Sequence, residues 1–275
     1  MSDLRLLILF LLSSTILAAQ PPANNLTSRD AANTTTLGVA NNALFDQLMI
    51  TIAGVGSNSR LIQEQQSLKP YMMPVRSVGF RGSDWSYMLA SCLEYYVNIN
   101  RNYKDNLSPD YISLSLASQG QRPSVAEGLR FLAQNGTVSA AIVPYDAGQI
   151  PTTVYATNKY QINNYLHLFQ PFASAREKTF EMRKALMRGN PVIIEMQAGS
   201  EFSSLGPTRI WEAGRSTSND QSHILLVVGY DENLQAFEVM SSWGSQWANN
   251  GYLWISYNDL ANRATNGYVM IPQSS

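Results

Sequence analysis

Residues 79–96 read Gly79-Phe80-Arg81-Gly82-Ser83-Asp84-Trp85-Ser86-Tyr87-Met88-Leu89-Ala90-Ser91-Cys92-Leu93-Glu94-Tyr95-Tyr96. Two glycines bracket a turn, and Asp84 follows as a residue suited to open a helix. A carboxylate there accepts backbone N–H groups and complements the helix dipole. Beyond it, apolar side chains fall on most faces, and a helix of that kind is a buried central one. The stretch predicts a long central helix from Trp85 to about Asn100, with Asp84 at its mouth.

Working outward, Pro109 to Leu116 and Val125 to Gln134 predict further helices, the second closed by Asn135-Gly136. The second half changes character. Asn163 to Phe169, Val192 to Met196, Ile224 to Tyr230, Ala236 to Met240 and Tyr252 to Tyr257 read as strands, with a helix over Arg176 to Arg188. Helices first and an antiparallel sheet second define an α+β protein with two lobes, helical over about 75–160 and strand-rich over about 161–272. Upstream, Ala40 to Gln66 predicts one or two amphipathic helices interrupted at Gly54 and Gly56, and Pro70 and Pro74 mark an extended run into the main domain.

Met1 to Arg5, the apolar run Leu6 to Leu17 and the small residues Ala18-Ala19 have the layout of a secretory signal peptide over 1–19. The run is shorter than the roughly 20 residues a spanning helix needs, so no membrane span is expected after cleavage. The expected compartment is secreted or periplasmic. Residues 20–67 follow as a linker with a short helical segment, and 68–275 form the main domain. In the 275 residues, charged side chains make up 14% and the formal net charge is −1, which argues against nucleic acid or an anionic membrane as partner. Cys92 is the single cysteine, so an intrachain disulfide is impossible.

Three stretches together resemble the papain family of cysteine peptidases. They are Val75-Arg76-Ser77-Val78-Gly79-Phe80-Arg81-Gly82-Ser83-Asp84-Trp85, then Ser222-His223-Ile224-Leu225-Leu226-Val227-Val228-Gly229-Tyr230, then Ser241-Ser242-Trp243-Gly244-Ser245-Gln246-Trp247-Ala248-Asn249-Asn250-Gly251-Tyr252. Echoes at Leu107-Ser108-Pro109, Pro144-Tyr145 and Gly189-Asn190-Pro191-Val192 keep the same order, so the resemblance runs over roughly Leu68 to Pro272. It implies the papain-like two-lobed fold, a helical lobe beside an antiparallel β-sheet or barrel lobe.

The same resemblance implies a site whose thiolate nucleophile, imidazole base, imidazole-orienting Asn and oxyanion-donating Gln fall on Asp84, His223, Ser241 and Val78. Only His223 is of the family's type. Cys92, about 12 Å further along the helix, is expected to be buried and inert. Arg81 and Ser118 stand where many members hold a disulfide. Gln121 replaces a glycine that pairs with substrate, and Trp85, Trp243 and Trp247 complete the expected cleft. Ser241 keeps the capacity to hydrogen-bond a ring nitrogen of His223.

Two readings of Asp84 stay open: a helix cap ion-paired with His223, or half of an acid/base pair. The first makes the chain an inactive scaffold that binds a peptide or protein through a remodelled cleft. The second makes it a hydrolase or transferase of non-thiol chemistry. A metal site from Asp84, His223 and Ser241 has poor ligand types, and no metal or cofactor is expected. Residues 20–66 resemble a propeptide in position only.

Overall fold

The central helix runs Asp84–Arg101, and every residue from Trp85 to Tyr96 is buried. Asp84 is its first residue, and its Oδ1 accepts the Trp85 N–H at 2.9 Å. In chain order the elements of the computed structural model are α1 (Asn42–Leu48), β1 (Gln65–Ser67), α2 (Asp84–Arg101), α3 (Pro109–Ala117), α4 (Val125–Gln134), β2 (Ile162–Phe169), α5 (Ala175–Met187), β3 (Val192–Ala198), β4 (Ile210–Trp211), β5 (Gln221–Asp231), β6 (Ala236–Met240), β7 (Tyr252–Ser256), α6 (Tyr257–Arg263) and β8 (Ala264–Pro272). The structure describes residues 36–56, 58, 61–80, 82–101, 104–117, 123–214 and 219–273. The signal peptide, most of the linker read before residue 36, and Arg81, Ser118 and Gln121 lie outside them.

The α+β expectation holds. Helices α2, α3 and α4 pack on one another, and one sheet takes the order β2-β8-β3-β5-β6-β7-β4, with β1 added on β5. Strand β5 is buried continuously from His223 to Tyr230 because α2 lies on one side of it and α5 also packs against it. A strand covered on both faces reads as an unbroken apolar run rather than an alternating one. All the pairings are antiparallel except β4 with β7, where Ile210 and Trp211 lie parallel to Trp254 and Ile255.

Local chemistry sets the helix ends. Ser124 and Glu127 form a reciprocal capping box on α4, and Gly136 at φ +71° follows its C-cap, Asn135. Of the one or two helices expected over Ala40 to Gln66, one is present among the described residues, α1, and β1 pairs with β5 at the end of the segment. Two expectations change. The segment at Pro70 forms a single 3₁₀ turn, Lys69–Tyr71, instead of running extended. The strand foreseen to Tyr257 stops at Ser256, whose hydroxyl caps α6 by accepting the Asp259 N–H at 3.0 Å.

Strand β8 was not foreseen at all. It sits inside the sheet, pairing Tyr165 with Met270 on one side and Ile193 with Tyr268 on the other. Its opening residues, Ala264-Thr265-Asn266-Gly267, have turn composition, and pairing on both edges overrides that weak local preference. Among the described residues, no helix is long and apolar enough to cross a membrane.

Candidate functional site

An open pocket of about 410 Å³ forms where the N-terminus of α2 meets the start of β5 and the turn after β6. Val78, Ser83, Asp84, Ser222, His223 and Trp243 line it, together with Gly82, Ser203 and Gln221. Backbone pairing holds one wall. Val78 N–H donates to Ser242 O at 2.7 Å, Gly244 N–H donates to Arg76 O at 3.2 Å, and Ser77 bridges Trp243. Gly244 (φ +81°) and Gly251 (φ +83°) shape the turn. A Cβ on Gly251 would stand 2.5 Å from Val75 Cγ1, so glycine is required there twice over.

Beneath this wall the Arg76 guanidinium reaches into the protein. It makes two bonds to Glu94 of α2, at 2.9 and 2.8 Å, and further bonds to Ser91 and Tyr145 hydroxyls. Glu94 also accepts the Leu107 N–H at 2.7 Å. Burial pushes the Glu94 carboxyl up to about 7, against the opposing pull of Arg76. One arginine thus ties the pocket wall, the central helix and the segment entering α3.

His223 is the first buried residue of β5. Its Nε2 lies 3.3 Å from Gly199 O. A carbonyl only accepts, so Nε2 donates its N–H to it. Aromatic rings fix the plane: Phe202 at 5.4 Å and Trp243 at 5.5 Å, the latter edge-on at 87°. Behind them Trp247 donates its indole N–H to Phe202 O at 2.7 Å and meets Trp243 at 5.1 Å.

The structure therefore brings Val78, Asp84, His223 and Trp243 to one pocket. Other expected positions fall elsewhere. Ser241 is wholly buried, with its Oγ 3.4 Å from Gly251 O and 3.3 Å from the Trp243 N, rather than serving His223. Trp85 is buried against Gly128 of α4, and Trp247 is buried behind Trp243, so these two rings support the cleft from within. Cys92 has no exposed surface, and burial pushes its thiol well above the usual range. Among the described residues, no group of three or more His, Cys, Asp or Glu side chains could hold a metal ion.

Sequence reasoning missed Gly199 and Phe202, which orient His223, and Ser203, which lines the pocket. They lie in Gly199-Ser200-Glu201-Phe202-Ser203-Ser204, a polar stretch with no signal beyond a loop. Chemically, the pocket offers a carboxylate, an imidazole with one N–H committed, three serine hydroxyls and an indole wall.

A central helix whose mouth faces a histidine on a mostly antiparallel sheet defines the papain-like class. The chain belongs to that family: the family described as papain family cysteine protease matches residues 63–271. Gamete and mating-type specific protein A of Dictyostelium discoideum is 27% identical over 213 residues, covering 72% of this chain and 44% of that protein. Procathepsin L of Rattus norvegicus is 24% identical over 199 residues, covering 68% and 58%. The chain spans about half the length of these curated relatives. Among solved structures, a Carica candamarcensis cysteine protease superposes with a TM-score of 0.59 at 18% identity, covering 76% of this chain and 99% of that one. Procathepsin L 3 of the Tenebrio molitor larval midgut gives 0.64 at 19%, covering 89% and 79%. At these identities the superpositions establish the shared fold.

Proposed function

We propose that this chain is an exported papain-family protein without thiol peptidase activity, which holds a peptide or protein segment in the pocket between Asp84 and His223. Asp84 stands where the family carries its nucleophilic cysteine. The observation that carries the reading is the placement of the single thiol: Cys92 is fully buried inside α2, while the pocket face beside His223 presents a carboxylate. A carboxylate attacking an amide would give a readily reversed anhydride, so Asp84 is a poor replacement nucleophile.

The other parts agree. Val78 has no side-chain donor, and its backbone N–H is already used by Ser242 O. Loss of one oxyanion donor costs on the order of 10²–10³ in rate. The pocket's indole wall and hydroxyls remain suited to gripping an extended chain, and the leader-like residues 1–19 support export.

A second reading is favoured by one contact. With Nε2–H held by Gly199 O, the other ring nitrogen of His223 is the candidate base in a pocket that also holds Asp84. That pair fits acid/base chemistry in a hydrolase or transferase.

The two readings separate in one experiment. Purified full chain and Asp84→Ala are assayed on fluorogenic peptides and esters, with and without an irreversible cysteine-protease inhibitor. The proposal expects no turnover by either protein. Turnover abolished by Asp84→Ala and indifferent to the inhibitor establishes the acid/base reading. Inhibitor-sensitive cleavage by the wild type overturns both.

A further inference from the structure

We infer that the described residues of 36–67 are a permanent part of the folded body and not a detachable leader, and that this segment leaves the pocket uncovered. This goes beyond the binding reading and does not depend on it.

The segment supplies core. Phe45 is completely buried, and Val39, Leu48, Met49 and Val55 are each exposed by less than a tenth. It also supplies sheet. Val39 exchanges backbone bonds with β2, its N–H to Tyr165 O at 3.0 Å and its O from His167 N–H at 2.9 Å. Strand β1 pairs antiparallel with residues Gly229, Tyr230 and Asp231 of β5.

The rest of the chain is built around it. Asn190, fully buried, donates to Ile50 O at 2.7 Å and accepts from the Tyr96 hydroxyl of α2 at 3.0 Å. Arg188 pairs with Asp46 at 2.8 Å, and its carbonyl takes the Ile52 N–H at 2.8 Å. Without residues 36–67 the buried Asn190 amide nitrogen would lose Ile50 O and keep only the long contact to Arg188 O at 3.5 Å.

Two glycines of the body make the same point. A Cβ on Gly229 would stand 2.7 Å from Gln66 O, and one on Gly189 would stand 2.8 Å from Val55 Cγ2. At Gly229 the close approach of Gln66 O is the reason for the bare backbone, and at Gly189 the contact with Val55 adds to a left-handed φ of +81°. A leader that comes off would leave Gly229 a bare backbone with nothing against it.

Position excludes a blocking role for the described segment. Strand β1 pairs six to eight residues along β5 from His223, about 20–26 Å away at 3.3 Å per residue. Among the described residues of 36–67, none lines the pocket.

The test uses the full chain with a specific protease site inserted after Leu61, which is 38% exposed. The folded protein is cut and passed through gel filtration, with intact mass read on the eluted body. The expected result is co-elution of the N-terminal fragment, released only in denaturant. Collapse of the body on cutting supports the inference equally. The mass of the exported protein is measured in parallel, and a chain retaining residue 36 is expected. A fragment that washes off and leaves a body with an unchanged melting curve overturns the inference, as does an exported form beginning near residue 68.

Discussion

His223 Nε2 is held by the carbonyl oxygen of Gly199 at 3.3 Å, while Ser241 spends its hydroxyl on the neighbouring backbone. The imidazole is therefore oriented by a loop carbonyl and two aromatic rings, Phe202 and Trp243, not by a side chain at position 241. Ser241→Ala is expected to leave the proton on His223 Nε2, read by ¹⁵N NMR of the ring. It should lower stability by about 1 kcal/mol, because the partly buried Trp243 N–H loses an acceptor. A switch of tautomer in Ser241→Ala would restore Ser241 as the orienting group.

Asp84→Cys places a thiol in the pocket beside His223. Native protein treated with iodoacetamide should take up one label in this variant and none in the wild type, whose only thiol is buried. Peptide turnover should remain absent, because catalytic groups act as a unit and restoring one does little. Labelling of the folded wild type on Cys92, or robust cleavage by Asp84→Cys, would contradict this account.

Glu94 makes stability depend on pH in an unusual direction. Its carboxyl is raised by burial from 4.5 to about 7, so the folded state holds a proton that the unfolded chain gives up. The stabilisation is complete below about 4.5 and fades as pH rises through 7. The whole effect is on the order of 3 kcal/mol. Melting temperatures should fall from pH 5 to pH 8, and Glu94→Gln should flatten that slope. A wild-type curve that rises over this interval, with Glu94→Gln unchanged from it, would show that Arg76 outweighs burial.

Gly251→Ala tests the turn that aims Trp243. The backbone is left-handed at φ +83° and the new methyl meets Val75. A loss of more than about 1 kcal/mol is expected from the backbone alone, and the clash adds to it. Chemical denaturation measures it directly. An unchanged midpoint would mean that the 241–252 turn relaxes without strain.

Trp247→Phe removes an indole N–H and leaves the Phe202 carbonyl without its donor. The expected cost is about 1–3 kcal/mol. Because Phe202 touches His223, the His223 ring resonances should shift as well. A destabilised variant with unshifted His223 resonances would show that Trp247 packs without orienting the site.

The sequence by itself determined the α+β class, the buried helix opening at Asp84, and the strands His223 and Tyr252 sit on. These depend on local periodicity and on left-handed turns that demand glycine at 244 and 251, which leave marks in a short window of residues. Tertiary structure alone decided the rest. Ala264–Pro272 becomes an interior strand because two neighbours pair with it, although its first residues read as a turn. Residues 36–67 join the body through partners that lie more than a hundred residues away in the chain, such as Asn190 and Gly229. The group that orients His223 is a backbone carbonyl, and carbonyls are identical at every position of a sequence. Only the folding of the Gly199–Ser204 turn against β5 singles out one of them.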